Sequence, residues 1–185
     1  EIQLQKNEIN EPVETIYFGG GTPSVLSNEE INQILEPIFS LFDVIENPEI
    51  TLEANPDDLS IERIQQLAAS KINRLSIGVQ SFYNEDLQLM NRAHNADEAW
   101  NSLVEATKYF DNISIDLIYG IPNLSMEKWK VNVQKALDLG INHISSYALT
   151  VEPKTALATL VKNGKIPTPD DGEAHEHFLV LVEML

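Results

Sequence analysis

Two carboxylates, Glu53 and Asp116, stand inside otherwise apolar segments, Glu49-Ile-Thr-Leu-Glu53 and Ile113-Ser-Ile-Asp-Leu-Ile-Tyr119. Burying a carboxylate is costly unless it is paired or hydrogen-bonded. Each is therefore either satisfied by a neighbouring arginine or backbone amides, or kept to meet a cationic or hydroxylated ligand. Three more features share this ambiguity. Gly19-Gly20-Gly21-Thr22-Pro23 is at least a tight turn, since glycine is the default where φ must be positive. It can also let a ligand approach bare backbone. It lacks both the Gly-x-Gly-x-x-Gly spacing of a dinucleotide site and the lysine of a phosphate loop. Gln80 and Arg92 are each indecisive alone, as a satisfied interior amide and a surface guanidinium are common.

The remaining chemistry is sparse. His175 and His177 lie two apart on a helical segment and point about 200° apart around its axis, so they do not form a metal pair. His143 opens a strand and reads as structural, and His94, which follows the Arg92 loop, either lines a site or, as the preferred reading, lies at the surface. No Ser-His-Asp arrangement recommends hydrolysis, and a glycosidase reading of Glu53 and Asp116 would depend on their separation.

These residues are positioned by a regular alternation. Strand-like segments at Thr15–Phe18, Glu49–Glu53, Arg74–Val79, Ile113–Tyr119 and His143–Leu149 are separated by amphipathic helical patterns. Ser27-Asn-Glu-Glu30 is a capping-box signature, ahead of a face made by Ile31, Ile34, Leu35 and Ile38. Ser60 and Ser125 cap two further helices, and others begin at Asn84 and Asp97. Five β-then-α units imply a parallel sheet, either a TIM-like barrel or an open doubly wound sheet. In both, ligands bind at the carboxyl ends of the strands. Gly19 to Thr22, Glu53 with Asn55, Gln80 with Ser81, Asp116, and Tyr147 to Thr150 all fall at or near that end. Their joint placement is more telling than any member.

Composition narrows the classes. There are 29 Asp plus Glu against 12 Lys plus Arg, a net charge of −17, and no cysteine. The acidic balance argues against nucleic acid. The missing thiols exclude disulfides, thiolate metal sites and an iron–sulfur cluster ligated from within these 185 residues. The expectation is a soluble, intracellular, cytoplasmic α/β domain occupying the whole of 1–185. The absence of an initiating methionine, and a helical face of Phe178, Leu181, Val182 and Leu185 running to the last residue, suggest truncation at both ends.

Six blocks in order carry a family resemblance: Ile16-Tyr-Phe-Gly-Gly-Gly-Thr-Pro-Ser24, Leu52-Glu-Ala-Asn-Pro56, Ser76-Ile-Gly-Val-Gln-Ser-Phe82, Leu89-Met-Asn-Arg-Ala-His94, Ile115-Asp-Leu-Ile-Tyr-Gly-Ile-Pro122 and Ser146-Tyr-Ala-Leu-Thr-Val-Glu-Pro153. Together they resemble the radical S-adenosylmethionine family that includes oxygen-independent coproporphyrinogen III oxidase and its relative, the haem chaperone. The resemblance implies a partial TIM-like (β/α)₆ barrel with strands two to six present and the first missing. It also implies S-adenosylmethionine beside a 4Fe–4S cluster whose cysteine loop would lie upstream of Glu1. Carried over by position, Gly20, Gly21 and Thr22 would meet the methionine end of the cofactor, and Arg92 its carboxylate. Glu53, Gln80 and Asp116 would engage the ribose hydroxyls or the ammonium group, and Ala148 would offer backbone near the adenine. No catalytic or metal-ligating residue is assigned.

The resemblance divides into two activities. Gly-Val-Gln-Ser-Phe and Tyr-Ala-Leu-Thr-Val-Glu-Pro look like the haem chaperone branch, whereas the oxidase branch favours an acidic residue at the position of Ser81. The expected partners are haem or a porphyrin, a haem-accepting client protein and an electron donor, with membrane contact only through a client. The alternative is decarboxylation of coproporphyrinogen propionates by a 5′-deoxyadenosyl radical. A cofactor-free α/β interaction module is a third reading, opposed by the rim carboxylates and Arg92. Without the cluster loop, these residues are expected to be inactive by themselves.

Overall fold

The computed structural model describes residues 11–185. Its order is β1 (Val13–Phe18), α1 (Asn28–Leu41), β2 (Val44–Ala54), α2 (Ile61–Ala68), β3 (Arg74–Gln80), α3 (Asn84–Leu89), α4 (Ala96–Ala106), β4 (Ile113–Tyr119), α5 (Met126–Asp138), β5 (His143–Ala148), α6 (Ala156–Lys162) and α7 (Asp171–Met184). All five strands form one parallel sheet in the sequential order β1-β2-β3-β4-β5. Sequential order means that no strand direction of travel reverses, as it would in a doubly wound sheet. The sheet is a curled half-barrel, part of a TIM-like wall.

The helices start where the caps require. The Ser27 side chain accepts the Glu30 N–H while the Glu30 carboxylate accepts the Ser27 N–H, a complete capping box. Ser60 and Ser125 accept the N–H groups of Arg63 and Lys128. The helix expected from Asp97 begins one residue earlier, because Asn95 caps it through both Asp97 and Glu98. Helix α6 adds to the expected alternation; Thr155 caps it, and none of its residues is buried.

One strand face is apolar and packs under the helices. Leu52, Leu75, Ile77, Val79, Ile115 and Leu117 meet Ile31, Leu35, Ile64, Leu67, Leu103, Trp129 and Val133 in a continuous core. Each fully buried aliphatic side chain contributes roughly 1.5–3 kcal/mol. The α1 face is narrower than its pattern, since Ile34 is exposed, and Ile61 at the start of α2 is exposed as well. The opposite strand face is polar. The register sets Glu53 beside Ser76, Ser76 beside Ser114, and Asp116 beside Ser145. At the amino ends of the strands this face is closed by a network in which Arg74 reaches the Thr51 hydroxyl (3.3 Å), with Glu49 accepting from Thr51 and Asn112.

The last helix docks differently from the apolar stripe seen in the sequence. Phe178, Val182 and Leu185 are exposed, while His177 and Leu181 are buried. The reason lies at the end of β4, where Gly120 takes φ +67° and leaves no room for a side chain: a Cβ there would sit 2.8 Å from that of Ala174. The Gly120 N–H donates to His177 Nδ1 (3.2 Å), and the Trp129 indole N–H donates to the His177 carbonyl (2.8 Å). Among the described residues, no helix is long and apolar enough to cross a membrane.

Burial lowers the His177 pKa below its ordinary value near 6.5. Below that value the unfolded chain binds the proton and the docked imidazole does not, so stability rises with pH through this window and falls as pH drops. With Trp100→Phe leaving Trp129 as the sole indole, its fluorescence should shift as pH falls from 7 toward 5. His177→Gln, which keeps an acceptor without titrating, should remove the shift. An identical pH profile in both proteins would contradict this docking chemistry.

Candidate functional site

Strand β1 runs straight into the glycine turn, and Gly20 and Gly21 take φ +79° and +67°, values that L side chains adopt only under strain. A Cβ on either would meet nothing within 4 Å, so both turn open backbone outward. Glu53, at the carboxyl end of β2, holds this turn. Its Oε2 accepts the Gly20 N–H (3.0 Å) and its Oε1 accepts the Tyr17 hydroxyl (2.8 Å). A carboxylate has about four acceptor positions, so Glu53 retains capacity for a ligand while positioning the turn. Burial, and then the hydrogen bond to Glu53, raise the Tyr17 pKa.

At the end of β3 the ladder breaks. Gln80 pairs with Leu117 one residue out of step with Ile77 and Ile115, the mark of a bulge. Gln80 itself takes φ +62°, a left-handed conformation that is strained for a residue with a side chain. Its carboxamide folds back over Gly78. A Cβ at Gly78 would lie 2.9 Å from Gln80 Nε2 and 3.3 Å from Arg92 Nη2, so the glycine makes room for both. Arg92 Nη2 donates to Asn55 Oδ1 (2.8 Å). The buried Arg92 Nε and Gln80 Oε1 have no protein partner. An orphaned donor and an orphaned acceptor in one place mark unmet hydrogen-bonding capacity.

These groups surround a small, open cavity of about 190 Å³, below the roughly 300–1,000 Å³ typical of a pocket that encloses a whole small molecule. Its lining includes Gly21, Thr22, Glu53, Gln80, Arg92 and Asp116, together with Asn55, Ser76 and Gly78. Six of the eight residues singled out in the sequence thus face one space. Gly20 reaches it through its bond to Glu53. Ala148 does not: it is exposed on β5, opposite Tyr119, outside the lining. Tyr147 is likewise exposed, so β5 supplies less of the rim than its position in the alternation implied.

Burial raises the Asp116 pKa, and the Glu53 charge adds to the rise; a hydrogen bond from Ser145 and the Arg92 and His143 charges oppose it. Two carboxylates and one guanidinium line the cavity, so acidic groups outnumber basic ones there. It suits a ligand with a cationic centre, hydroxyls to donate, and a carboxylate for Arg92.

His94 corrects a sequence expectation. It is buried, not at the surface, and its Nε2 donates to the Val79 carbonyl (3.0 Å) behind Gln80. Its pKa is lowered, first by burial. His143 is exposed rather than packed. Sequence reasoning missed Gly78 and Tyr17. A lone glycine inside a strand was a usable signal for the first; a tyrosine in an apolar run gave none for the second. Among the described residues, no cluster of His, Cys, Asp and Glu could hold a metal.

Comparison with known proteins supplies the lineage. Residues 1–147 match the radical SAM superfamily profile. The heme chaperone HemW of Lactococcus lactis is 38% identical over 184 residues, covering 99% of this chain and 48% of that protein. The mouse mitochondrial "radical S-adenosyl methionine domain-containing protein 1" is 39% identical over 167 residues, covering 90% of this chain and 38% of its own length. The chain therefore spans about half the length or less of these curated relatives. Among solved structures, coproporphyrinogen III oxidase (HemN) from Escherichia coli, described as a radical SAM enzyme, superimposes with a TM-score of 0.80 and 25% identity, over 99% of this chain and 43% of that one. An archaeal Elp3 shares the fold at a TM-score of 0.73 and 22% identity, over 95% of this chain and 46% of that one.

The raised Asp116 pKa fixes the sign of a pH effect. The native state keeps this proton at a pH where the unfolded chain has lost it, so Asp116 lowers stability as pH rises through that window. Asp116→Asn should therefore raise the melting temperature at pH 7, with the gain over wild type shrinking toward pH 4. A lower melting temperature for Asp116→Asn at pH 7 would show that the carboxylate is fully compensated in the empty cavity.

Proposed function

The chain belongs to the radical SAM superfamily, among the coproporphyrinogen-oxidase-like proteins and near the haem chaperone branch, and from that premise we propose that the full-length protein is a haem chaperone that passes haem to a client haemoprotein. The observation that carries this is 38% identity to a heme chaperone across 99% of these residues, against 25% to the coproporphyrinogen oxidase of the same fold. The pairing of Gln80 with Ser81 agrees with it. The expected partners are haem or a porphyrin, a client protein and an electron donor.

We assign the cavity to S-adenosylmethionine. The lining matches this ligand chemically: surplus carboxylate for the sulfonium and ammonium charges, a guanidinium with a free Nε for the carboxylate, and an unpaired carboxamide oxygen for a hydroxyl or ammonium N–H. Arg92 would hold the carboxylate, the turn at Gly20, Gly21 and Thr22 would lie along the methionine end, and Glu53, Gln80 and Asp116 would take the ribose hydroxyls or the ammonium group. Ala148 would meet the adenine only if the ligand extends beyond the cavity along the β4–β5 edge. When bound next to a reduced cluster, S-adenosylmethionine is a source of a 5′-deoxyadenosyl radical. The 4Fe–4S cluster itself does not fit these 185 residues, which offer no thiolate, so its ligands must come from elsewhere in the protein.

Decarboxylation of coproporphyrinogen is the second reading, favoured by the structural match to the Escherichia coli enzyme. Titrating the full-length protein with haem while assaying coproporphyrinogen consumption separates the two. Stoichiometric haem binding without turnover is the expected result; turnover without haem binding would reverse the order. In the same protein, Gly78→Ala should weaken S-adenosylmethionine binding by pushing Gln80 and Arg92 out of place. If wild type does not bind S-adenosylmethionine in calorimetry, the cavity assignment fails.

A further inference from the structure

Gln80 is the strained point of the site, and left-handed non-glycine backbone persists only where its surroundings over-determine it. Directly after it, the Ser81 hydroxyl is fully committed. It donates to Asp86 Oδ2 (2.6 Å) and accepts from the Tyr83 N–H and from Asn132 Nδ2 (both 3.2 Å). A serine hydroxyl has one donor and two acceptor positions, so none is left for a ligand or for water. Asn132 Oδ1 in turn accepts the Phe82 N–H (2.9 Å). Ser81, Asp86 and Asn132 are all buried, at 0%, 3% and 0% exposure. On the other side of Gln80, the Val79 carbonyl accepts from both the Ser81 N–H and His94. The residues flanking the left-handed turn are thus pinned to α3, α5 and the segment before α4.

The same network reaches Arg92. Asp86 lies in α3, and the chain leaving that short helix is tied back to it, with the Met90 N–H on the Asp86 carbonyl and the Arg92 N–H on the Leu87 carbonyl. Anchoring Asp86 to Ser81 therefore fixes the distance between the end of β3 and the loop that presents the guanidinium. The carboxyl group is expensive to hold here, since burial raises its pKa despite the serine bond. A plain packing role would be served by an apolar side chain at lower cost.

We propose that Ser81, Asp86 and Asn132 are positioning residues: their buried hydrogen-bond network holds Gln80 in its left-handed conformation and carries Arg92 to the same cavity. The proposal rests on reading that cavity as the S-adenosylmethionine site. Its function is to arrange Gln80 Oε1 and Arg92 Nε, the two orphaned groups, before any ligand arrives, so that binding does not have to order them.

The test uses full-length protein with its cluster reconstituted, S-adenosylhomocysteine as the probe in calorimetry, and thermal denaturation alongside. Asp86→Leu should weaken binding about tenfold or more at a temperature where the protein is fully folded, the scale of a displaced charge-assisted contact. Asp86→Asn, which still accepts the Ser81 hydroxyl, should restore affinity to within about twofold of wild type, a rescue that a charge-based role would not give. Gln80→Gly separates strain from packing: it should raise the melting temperature while weakening binding, because glycine adopts the φ freely but lacks the carboxamide. Wild-type binding with unaltered affinity in Asp86→Leu, or Gln80→Gly that binds as wild type and melts no higher, overturns the positioning role and leaves the cavity assignment standing. Failure of wild type to bind the probe removes the cavity assignment and this proposal with it.

Discussion

Each strand of this sheet has to keep an apolar face toward the helices and a polar face toward the concave side. A parallel sheet covered on both faces reads as continuous hydrophobic runs. Here β3 alternates Leu75, Ile77 and Val79 with Ser76, Gly78 and Gln80, and β4 alternates Ile113, Ile115 and Leu117 with Ser114 and Asp116. A single slip in register would drive Asp116 into the core beside Trp129 and Val133 and expose its aliphatic neighbours. The charged residues of the site are therefore also a register constraint. They can be tolerated because the concave side is left open to a ligand and water rather than filled with side chains.

That polar face explains why the two carboxylates survive with one guanidinium between them. Glu53 earns part of its place structurally, as acceptor for Gly20 and Tyr17, and so couples β1 to β2 at the rim. Asp116 has weaker support: Ser145 beside it and Arg92 and His143 nearby do not outweigh burial and Glu53. A site that is complete without ligand would have balanced these charges. This one keeps an imbalance of the sign that a sulfonium or ammonium group would correct, and the orphaned Arg92 Nε supplies the counterpart for a carboxylate.

Much of this was legible in the sequence for a physical reason. Capping chemistry is local, so Ser27, Ser60 and Ser125 announced their helices. Strand alternation is local as well, and the carboxyl-end rule converts strand order into a rim. What escaped was set by contacts across long separations. The terminal helix carries an obvious stripe at Phe178, Leu181, Val182 and Leu185, yet only Leu181 of these is buried and His177 docks beside it, because Gly120 and Ala174, 54 residues apart in sequence, require close approach. His94 looked superficial because its partner, the Val79 carbonyl, belongs to a strand end. Gln80 showed its identity but not its backbone: nothing in Gly-Val-Gln-Ser reveals a left-handed glutamine.

The bulge at Gln80 links the strand register to the site. Asp86 on α3, Asn132 on α5 and His94 in the segment before α4 hold the backbone around a conformation that costs of order 1–3 kcal/mol. Relaxing the turn would move the carboxamide away from Gly78 and free the space that Arg92 occupies. The strain is thus stored beside two buried polar atoms without a protein partner, Arg92 Nε and Gln80 Oε1. A fold seeking only stability would place glycine at position 80 and a side chain at position 78. The sequence has the reverse, which puts the amide and the guanidinium over one bare stretch of strand, facing the two carboxylates.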